Sequence, residues 1–243
     1  MQIQRRPRRS NMSTLACGCL GIAGLFAVVL VAAVIILLPL LPGLTLQFAG
    51  FQPKGTTEQV LAAIPTPQPI VLQNPVTPPE AVVNLGSYGT LPTTQDYTIA
   101  VGSNTAGAQV ATVNFTEAGL MQMCYQRTDL CSNTNPQYRN ARIDLRAGGG
   151  VVYADVYVQQ FGIWQPIGVV LRLDASGRQL EVAGVDVNGT LYALPPNEIS
   201  EQINQIVTGG NEVLRQLSLE ASGGRYLLTS VRIDDQSVTL VLQ

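Results

Sequence analysis

Histidine is absent from this 243-residue chain, and lysine occurs only once, at Lys54. Without histidine, the usual Ser-His-acid triads and Cys-His dyads are excluded, as are histidine-ligated zinc and iron sites. The single lysine precedes the region that is predicted to fold, so a Ser-Lys dyad within that region is excluded as well. Any catalysis would therefore depend on carboxylates alone.

The carboxylates show no pattern that is typical of a catalytic pair. Asp234 and Asp235 share a predicted turn, whereas Asp155, Asp174 and Asp186 lie on predicted strands or at their ends. Glycoside cleavage needs two carboxyl groups that face each other across a cleft, and acids on the solvent face of a sheet are far commoner. The segments after Asp174 and Asp186 resemble the start of calcium loops but lack the later ligands. We expect no catalytic residue, no metal and no cofactor.

Charged residues make up only 12% of the chain, and their distribution is uneven. Four of the 14 basic residues lie within the first nine positions, which leaves 10 basic against 16 acidic residues, a net charge of −6, in the rest. An acidic surface gives no electrostatic reason to bind nucleic acid. We therefore expect no nucleic-acid partner.

A long uncharged run dominates the N-terminal part of the chain. Residues 15–41 carry no strongly polar side chain, and about 20 apolar helical residues suffice to cross a bilayer. Basic residues precede this run, which places residues 1–14 in the cytoplasm and the rest of the chain outside. The residues that determine this topology are Arg5, Arg6, Arg8 and Arg9. The sequence predicts a single-pass protein of the cell membrane with an extracytoplasmic C-terminal domain.

Two other interpretations of this run are less favoured. The apolar core of a cleaved signal peptide has about 7–15 residues, roughly half of what is present. A lipoprotein acceptor cysteine follows its apolar core, whereas Cys17 and Cys19 precede it. We expect an uncleaved signal anchor.

The next segment, residues 43–94, is rich in proline, threonine and glutamine. Ten of the 15 prolines lie between Pro39 and Pro92. Proline has no amide hydrogen for a helix or a central strand, so this composition favours an extended, solvated backbone. We expect an extracytoplasmic stalk, either a spacer or a segment that a partner recognises in extended form.

Residues 95–243 are predicted to form an α+β domain with the order β-β-α-β-β-β-β-α-β-β. Four alternating segments between the helices indicate an antiparallel meander with one apolar face, with a bulge at Gly184 and a turn at Asn188-Gly189. Thr116 is expected to cap the first helix, and Gly209-Gly210 to kink the second. We expect one curved antiparallel sheet packed against two amphipathic helices.

Cys124 and Cys131 lie on the extracytoplasmic side, where thiols tend to be oxidised. Six residues separate them, which is enough to close a disulfide if the helix ends between them. Their spacing is not that of a C-x-x-C redox motif. The sequence predicts a structural disulfide between these two cysteines.

Four motifs lie along the predicted domain: Phe115-Thr116-Glu117-x-x-Leu120, Pro196-x-Glu198-Ile199-x-x-x-Ile203, Ser230-Val231-Arg232-Ile233-x-Asp235 and Val238-x-Leu240. These motifs resemble those of the YpmS-like and LmeA-like bacterial envelope proteins. The resemblance covers about 140 residues, and the proline-rich stalk and the cysteine pair depart from it. It implies a bacterial exported domain in which a long helix folds against a strongly bent sheet, with a link to envelope lipids or lipoglycans.

Three functions are compatible with this sequence. The first is non-enzymatic binding of a lipid or lipid-linked envelope component in an apolar groove between the second helix and the sheet. The second is a protein-interaction or scaffolding module that is presented to an envelope partner, and the third, least favoured, is an enzyme that uses carboxylates alone. The residues expected to line the groove share one helical face: Ile199, Ile203, Val207, Val213 and Leu217.

Overall fold

The computed structural model describes residues 52–62, 70–91, 96–127, 138–158, 162–194 and 198–243. Within these ranges the chain forms thirteen strands and three α-helices, together with a 3₁₀ turn at Gly86–Tyr88. The elements are β1 Gln52–Thr56, α1 Thr57–Ala62, β2 Gln73–Val76, β3 Ala81–Asn84, β4 Tyr97–Ser103, β5 Gln109–Thr116, α2 Glu117–Arg127, β6 Tyr138–Arg146, β7 Gly149–Val158, β8 Ile163–Leu173, β9 Leu180–Val187, β10 Thr190–Ala193, α3 Glu198–Gln216, β11 Ser218–Ala221, β12 Gly224–Ile233 and β13 Ser237–Leu242.

The prediction of one curved sheet packed against two amphipathic helices is wrong, because the described chain is mostly β and forms two antiparallel sheets. The six-stranded sheet has the order β1-β10-β9-β8-β7-β6, and the seven-stranded sheet has the order β2-β4-β5-β13-β12-β11-β3. Alternating polarity identifies a strand but not its neighbour. The strands of the predicted meander, β6 to β9, do pair with one another in chain order. Strand β5, however, pairs with β13, the last strand of the chain, which the alternation does not indicate.

The six-stranded sheet is built from short hairpins that the sequence specifies locally. Asn188 and Gly189 both adopt positive φ, as the tight turn between β9 and β10 requires. The register between β8 and β9 shifts beside Gly184, where the sequence predicts a bulge. A side chain at Gly184 would lie 2.3 Å from the carbonyl oxygen of Tyr192, so the close approach of the two strands requires glycine there.

A single core joins the two sheets. Phe115 and Val113 of the seven-stranded sheet belong to the same buried cluster as Leu171 and Val152 of the six-stranded sheet. Backbone hydrogen bonds also link the sheets, because the amide of Gly148, in the turn after β6, donates to the carbonyl oxygen of Ile233 at 2.9 Å. The two sheets therefore form one folded unit.

Each long helix contacts both sheets instead of lying on one. Helix α2 contacts β5 and β6, and α3 contacts β9 and β12. Helix α2 begins where the sequence predicts, since the hydroxyl of Thr116 accepts a hydrogen bond from the amide of Gly119 at 3.0 Å. Helix α3 continues as α-helix through Gly209 and Gly210, so these glycines do not interrupt the helix within Glu198–Gln216.

The expected stalk is corrected over its described part. Strands β1, β2 and β3 come from residues 43–94 and pair with β10, β4 and β11. Pro53 and Pro75 lie on β1 and β2, which are the outermost strands of their sheets. Proline is tolerated on edge strands, because the backbone amides on the outer side of such a strand do not donate hydrogen bonds to a neighbouring strand. The folded unit therefore includes the described residues from Gln52 onward and does not begin at residue 95.

The predicted membrane anchor, residues 15–41, and the preceding Arg5, Arg6, Arg8 and Arg9 lie outside the described residues. Within the described ranges, no helix has the length and apolar character needed to cross a membrane.

Candidate functional site

Four of the five residues expected to line an apolar groove lie in the core. Ile203, Val207, Val213 and Leu217 are 0%, 5%, 3% and 1% exposed and pack among side chains from both sheets. Ile199 is in the first turn of α3, and its side chain lies outside the described set. A solvent-open hollow does lie beside α3, but polar residues dominate its lining: Arg178, Gln179, Thr208, Asn211, Glu212, Leu214, Arg215 and Leu228. The described apolar residues of α3 are therefore buried in the core and do not line a ligand groove.

Cys124 is buried and disulfide-bonded. Its expected partner, Cys131, lies outside the described residues. The pairing of these two cysteines stays a prediction.

Asp186 is the most deeply buried carboxylate of the described chain, with 1% of its surface exposed. It accepts hydrogen bonds from the hydroxyl of Thr57, the amide of Gly189 and the hydroxyl of Tyr153. Burial, followed by the negative charges of Asp186 and Asp144, raises the pKa of Tyr153 to about 12. This cluster ties α1 to the six-stranded sheet and is structural.

Gly168 makes the contact between Tyr153 and Asp186 possible. It lies on β8 between them, paired with Tyr153 on one side and Asp186 on the other. A side chain at Gly168 would lie 2.8 Å from the Tyr153 ring and 2.5 Å from Val151. Because Gly168 has no side chain, the Tyr153 ring can lie across β8, and its hydroxyl can reach the carboxylate of Asp186.

The other carboxylates are also occupied by local contacts. Asp174 accepts hydrogen bonds from the amides of Arg178 and Gln179 and from the hydroxyl of Ser176. Burial opposes ionisation of Asp174, but these hydrogen bonds outweigh it and lower its pKa. The described residues contain no group of three or more acids or cysteines that could hold a metal ion. The segments that resemble calcium loops are turns.

The strongest candidate site is a hollow on the outer face of the seven-stranded sheet. Its polar floor comes from β5, β12, β13 and the turn after β12. Within it, one row runs straight across three strands, because Arg232 pairs with Thr239 and Thr239 pairs with Asn114. The polar floor comprises Thr112, Asn114, Arg232, Asp234 and Thr239.

Hydrogen bonds hold the polar floor in one arrangement. The side-chain nitrogen of Asn114 donates to the hydroxyls of Thr239 and Ser237, at 2.8 and 3.1 Å. The carboxylate of Asp234 accepts from the amides of Ser237 and Gln236, at 2.8 and 3.0 Å. Among the described residues, nothing donates to the side-chain oxygen of Asn114, and the hydroxyl of Thr112 has no hydrogen bond. The polar floor therefore retains donors and acceptors for a ligand.

An apolar wall borders the polar floor on one side. Ile70, Leu72 and Pro75 form it, and Val241 extends it onto β13. The wall packs closely against β4 at Gly102. A side chain at that position would lie 2.8 Å from the carbonyl oxygen of Gln73, so this close packing depends on glycine. The space between wall and floor is about 390 Å³ and opens to solvent.

Arg232 differs from most described arginines in having no partner. Four arginines form ion pairs, which are Arg142–Asp155, Arg146–Asp144, Arg172–Glu181 and Arg215–Glu212. Two more are engaged, since Arg178 donates to the carbonyl oxygen of Thr229 and Arg139 lies over the Trp164 ring. Arg232 is partly buried, yet none of its contacts with the described residues is a hydrogen bond or ion pair. Its guanidinium group is available to a ligand.

The hollow combines hydroxyl, amide, guanidinium and carboxylate groups with an apolar side. Among the described residues, Asp234 is the only carboxylate that lines the hollow, whereas glycoside cleavage uses two. This lining suits binding better than bond cleavage.

Sequence reasoning did not find this site. The sequence shows Thr112 and Asn114 alternating with apolar residues on one strand, and Ser237 and Thr239 on another. That alternation indicates polar outer faces, but it does not show that the two strands are neighbours.

Comparison with protein-family models, with curated proteins and with solved structures gives no match to this chain. The resemblance to YpmS-like and LmeA-like proteins stays a prediction.

Proposed function

We propose that this protein is a non-enzymatic, membrane-anchored binding protein of the bacterial envelope. Its extracytoplasmic domain holds the saccharide portion of an envelope component in the hollow on the seven-stranded sheet. The observation that carries this proposal is the polar floor beside an apolar wall. A lipid-linked saccharide fits the predicted location beside the membrane.

The chemistry of the hollow matches that of a sugar. A sugar presents hydroxyl groups around its edge and carbon-bound hydrogens on its faces. The hydroxyls of Thr112 and Thr239 can both donate and accept, and the side-chain oxygen of Asn114 accepts. Ile70, Leu72 and Pro75 supply the apolar surface for a sugar face. Such sites combine a few placed polar groups with an apolar lining.

The start of the folded unit supports a location near the bilayer. Only ten residues, 42–51, separate the predicted anchor from β1. Ten residues span at most about 35 Å when fully extended. The domain is therefore tethered more closely than a 50-residue stalk would hold it.

Saturation-transfer NMR on the full-length protein in nanodiscs tests the proposal with a panel of plant and bacterial oligosaccharides. The Thr112→Val variant removes a hydroxyl that bonds to no described residue, so the fold should be unaffected. We expect it to weaken saccharide binding roughly five-fold, the effect of one hydrogen bond of about 1 kcal/mol.

The matched control is Thr98→Val. Thr98 lies on the outer face of the same sheet, paired with Asn114, but it does not line the hollow. We expect its affinity to equal that of the wild type. If no saccharide binds, or if both variants bind like the wild type, the proposal is wrong and a protein-interaction module becomes the better interpretation.

A further inference from the structure

We infer that the bound saccharide carries an anionic group, a carboxylate or a phosphate, which binds the guanidinium group of Arg232. This inference rests on the proposed function and adds the charge of the ligand. It starts from the unpartnered Arg232 in the polar floor.

The position of Arg232 favours a bound anion over solvent as its partner. The side chain is partly buried, and removing a charge from water without a partner is unfavourable. Arg225, on the same strand, also has no partner among the described residues, but it is exposed and hydrated. Carboxylates and phosphates match the planar, forked donors of arginine. Within the described chain, Arg232 is thus the partly buried cation whose geometry suits such a group.

The neighbours of Arg232 suit an anion that belongs to a hydroxyl-rich molecule. Thr239 lies directly beside it across the strand pair, and Asn114 lies one strand further on. A ligand whose anionic group contacts Arg232 therefore places its adjoining atoms over a hydroxyl and an amide. A sugar acid and a sugar phosphate share this chemistry.

Asp234 determines where the anion binds. It lies two residues from Arg232 on the same face, and no ion pair joins them. Its carboxylate repels an anion, and hydrogen bonds from Gln236 and Ser237 of its own turn hold it in place. The anion therefore approaches Arg232 from the opposite side, over Thr112 and Val241, which pair with each other.

Binding of matched charged and neutral probes to the full-length protein in nanodiscs tests the inference. The probes are trigalacturonate against its methyl ester, and mannose 6-phosphate against mannose, so that each pair differs chiefly in charge. We expect at least one charged probe to bind about ten-fold tighter than its neutral counterpart, as expected for a charge-assisted hydrogen bond. Tighter binding of trigalacturonate than of its methyl ester would identify the anionic group as a carboxylate. Tighter binding of mannose 6-phosphate than of mannose would identify it as a phosphate.

Two variants assign the preference to one side chain. Arg232→Gln should abolish the preference for charge while neutral saccharides still bind, and Arg232→Lys should retain part of it because it keeps the charge but loses the forked geometry. Arg225→Gln changes the net charge equally on the same strand and should bind like the wild type. Circular dichroism checks that each variant is folded.

The possible failures are distinguishable. If saccharides bind but charged and neutral probes bind equally, the inference is wrong and the proposed function stands. The same holds if the preference survives in Arg232→Gln or disappears in Arg225→Gln. If no saccharide binds the wild type, the proposed function and the inference are both wrong.

Discussion

The side chain of Asn211 pairs with the backbone of Leu180 in both directions. Its nitrogen donates to the Leu180 carbonyl oxygen at 2.8 Å, and its oxygen accepts from the Leu180 amide at 2.8 Å. Strand β10 covers β9 only from Val185 to Val187, so the first residues of β9 have no strand on that side. Asn211 thus takes the place of a neighbouring strand and fixes α3 against the six-stranded sheet.

Replacement of Asn211 by alanine should lower the free energy of unfolding by about 2 kcal/mol, because it removes two partly buried hydrogen bonds and leaves the Leu180 backbone unpaired. Urea denaturation of residues 52–243 measures the change. Gln205→Ala, at an exposed position of the same helix, should change stability by less than about 0.5 kcal/mol. Equal effects of the two substitutions would show that the Asn211 pairing contributes nothing.

Gly209 offers a stabilising substitution. It lies inside α3, and a side chain built there meets no atom within 4 Å. Alanine is preferred over glycine in a helix interior by about 1 kcal/mol. Gly209→Ala should therefore raise the melting temperature. A lower melting temperature would contradict the free space that the structure shows beside Gly209.

The sequence predicts the local features of the fold but not the pairing of its strands. Thr116 as a helix cap and the turn at Asn188-Gly189 depend on residues within a few positions of each other, and both are confirmed. Asn114 and Thr239 are 125 positions apart, and nothing in either strand specifies the other. The amphipathic stripe of α3 indicates burial, yet it does not show that two sheets already fill the space beside it.

Proline misled the prediction for a physical reason. Its missing amide hydrogen excludes it from central strands, but it fits an edge strand as well as a solvated stalk. Composition alone cannot distinguish these two environments. The hollow could not be predicted for the same reason, since its wall at Ile70, Leu72 and Pro75 comes from the segment that was expected to be a stalk.

The raised pKa of Tyr153 predicts a loss of stability at alkaline pH. A tyrosine with a folded-state pKa of about 12, against about 10 in the unfolded chain, stabilises the fold fully below pH 10. This contribution is lost as the pH rises through 12, because the ionised Tyr153 is unfavourable in its buried position beside Asp186 and can no longer donate a hydrogen bond to it. The difference in free energy of unfolding between wild type and Tyr153→Phe should therefore shrink from pH 10 to pH 12. A constant difference would show that the pKa of Tyr153 is not raised in the folded protein.

Leu61 tests whether the proline-rich region is packed. It lies on α1 and is 4% exposed, in a small cluster with Val151, Val170 and Leu191 on the outer face of the six-stranded sheet. Leu61→Ala should lower the free energy of unfolding by about 2 kcal/mol and should speed hydrogen exchange in α1, because it leaves a cavity beneath the helix.

The matched control for Leu61 is Val71→Ala, from the same proline-rich region. Val71 is 65% exposed, so its truncation should change stability by less than about 0.5 kcal/mol. If both substitutions have negligible effects on stability, α1 does not pack on the sheet and residues 43–94 are better described as a stalk. A large effect of Leu61→Ala alone shows that α1 packs on the sheet, so that the folded unit begins within about ten residues of the predicted anchor.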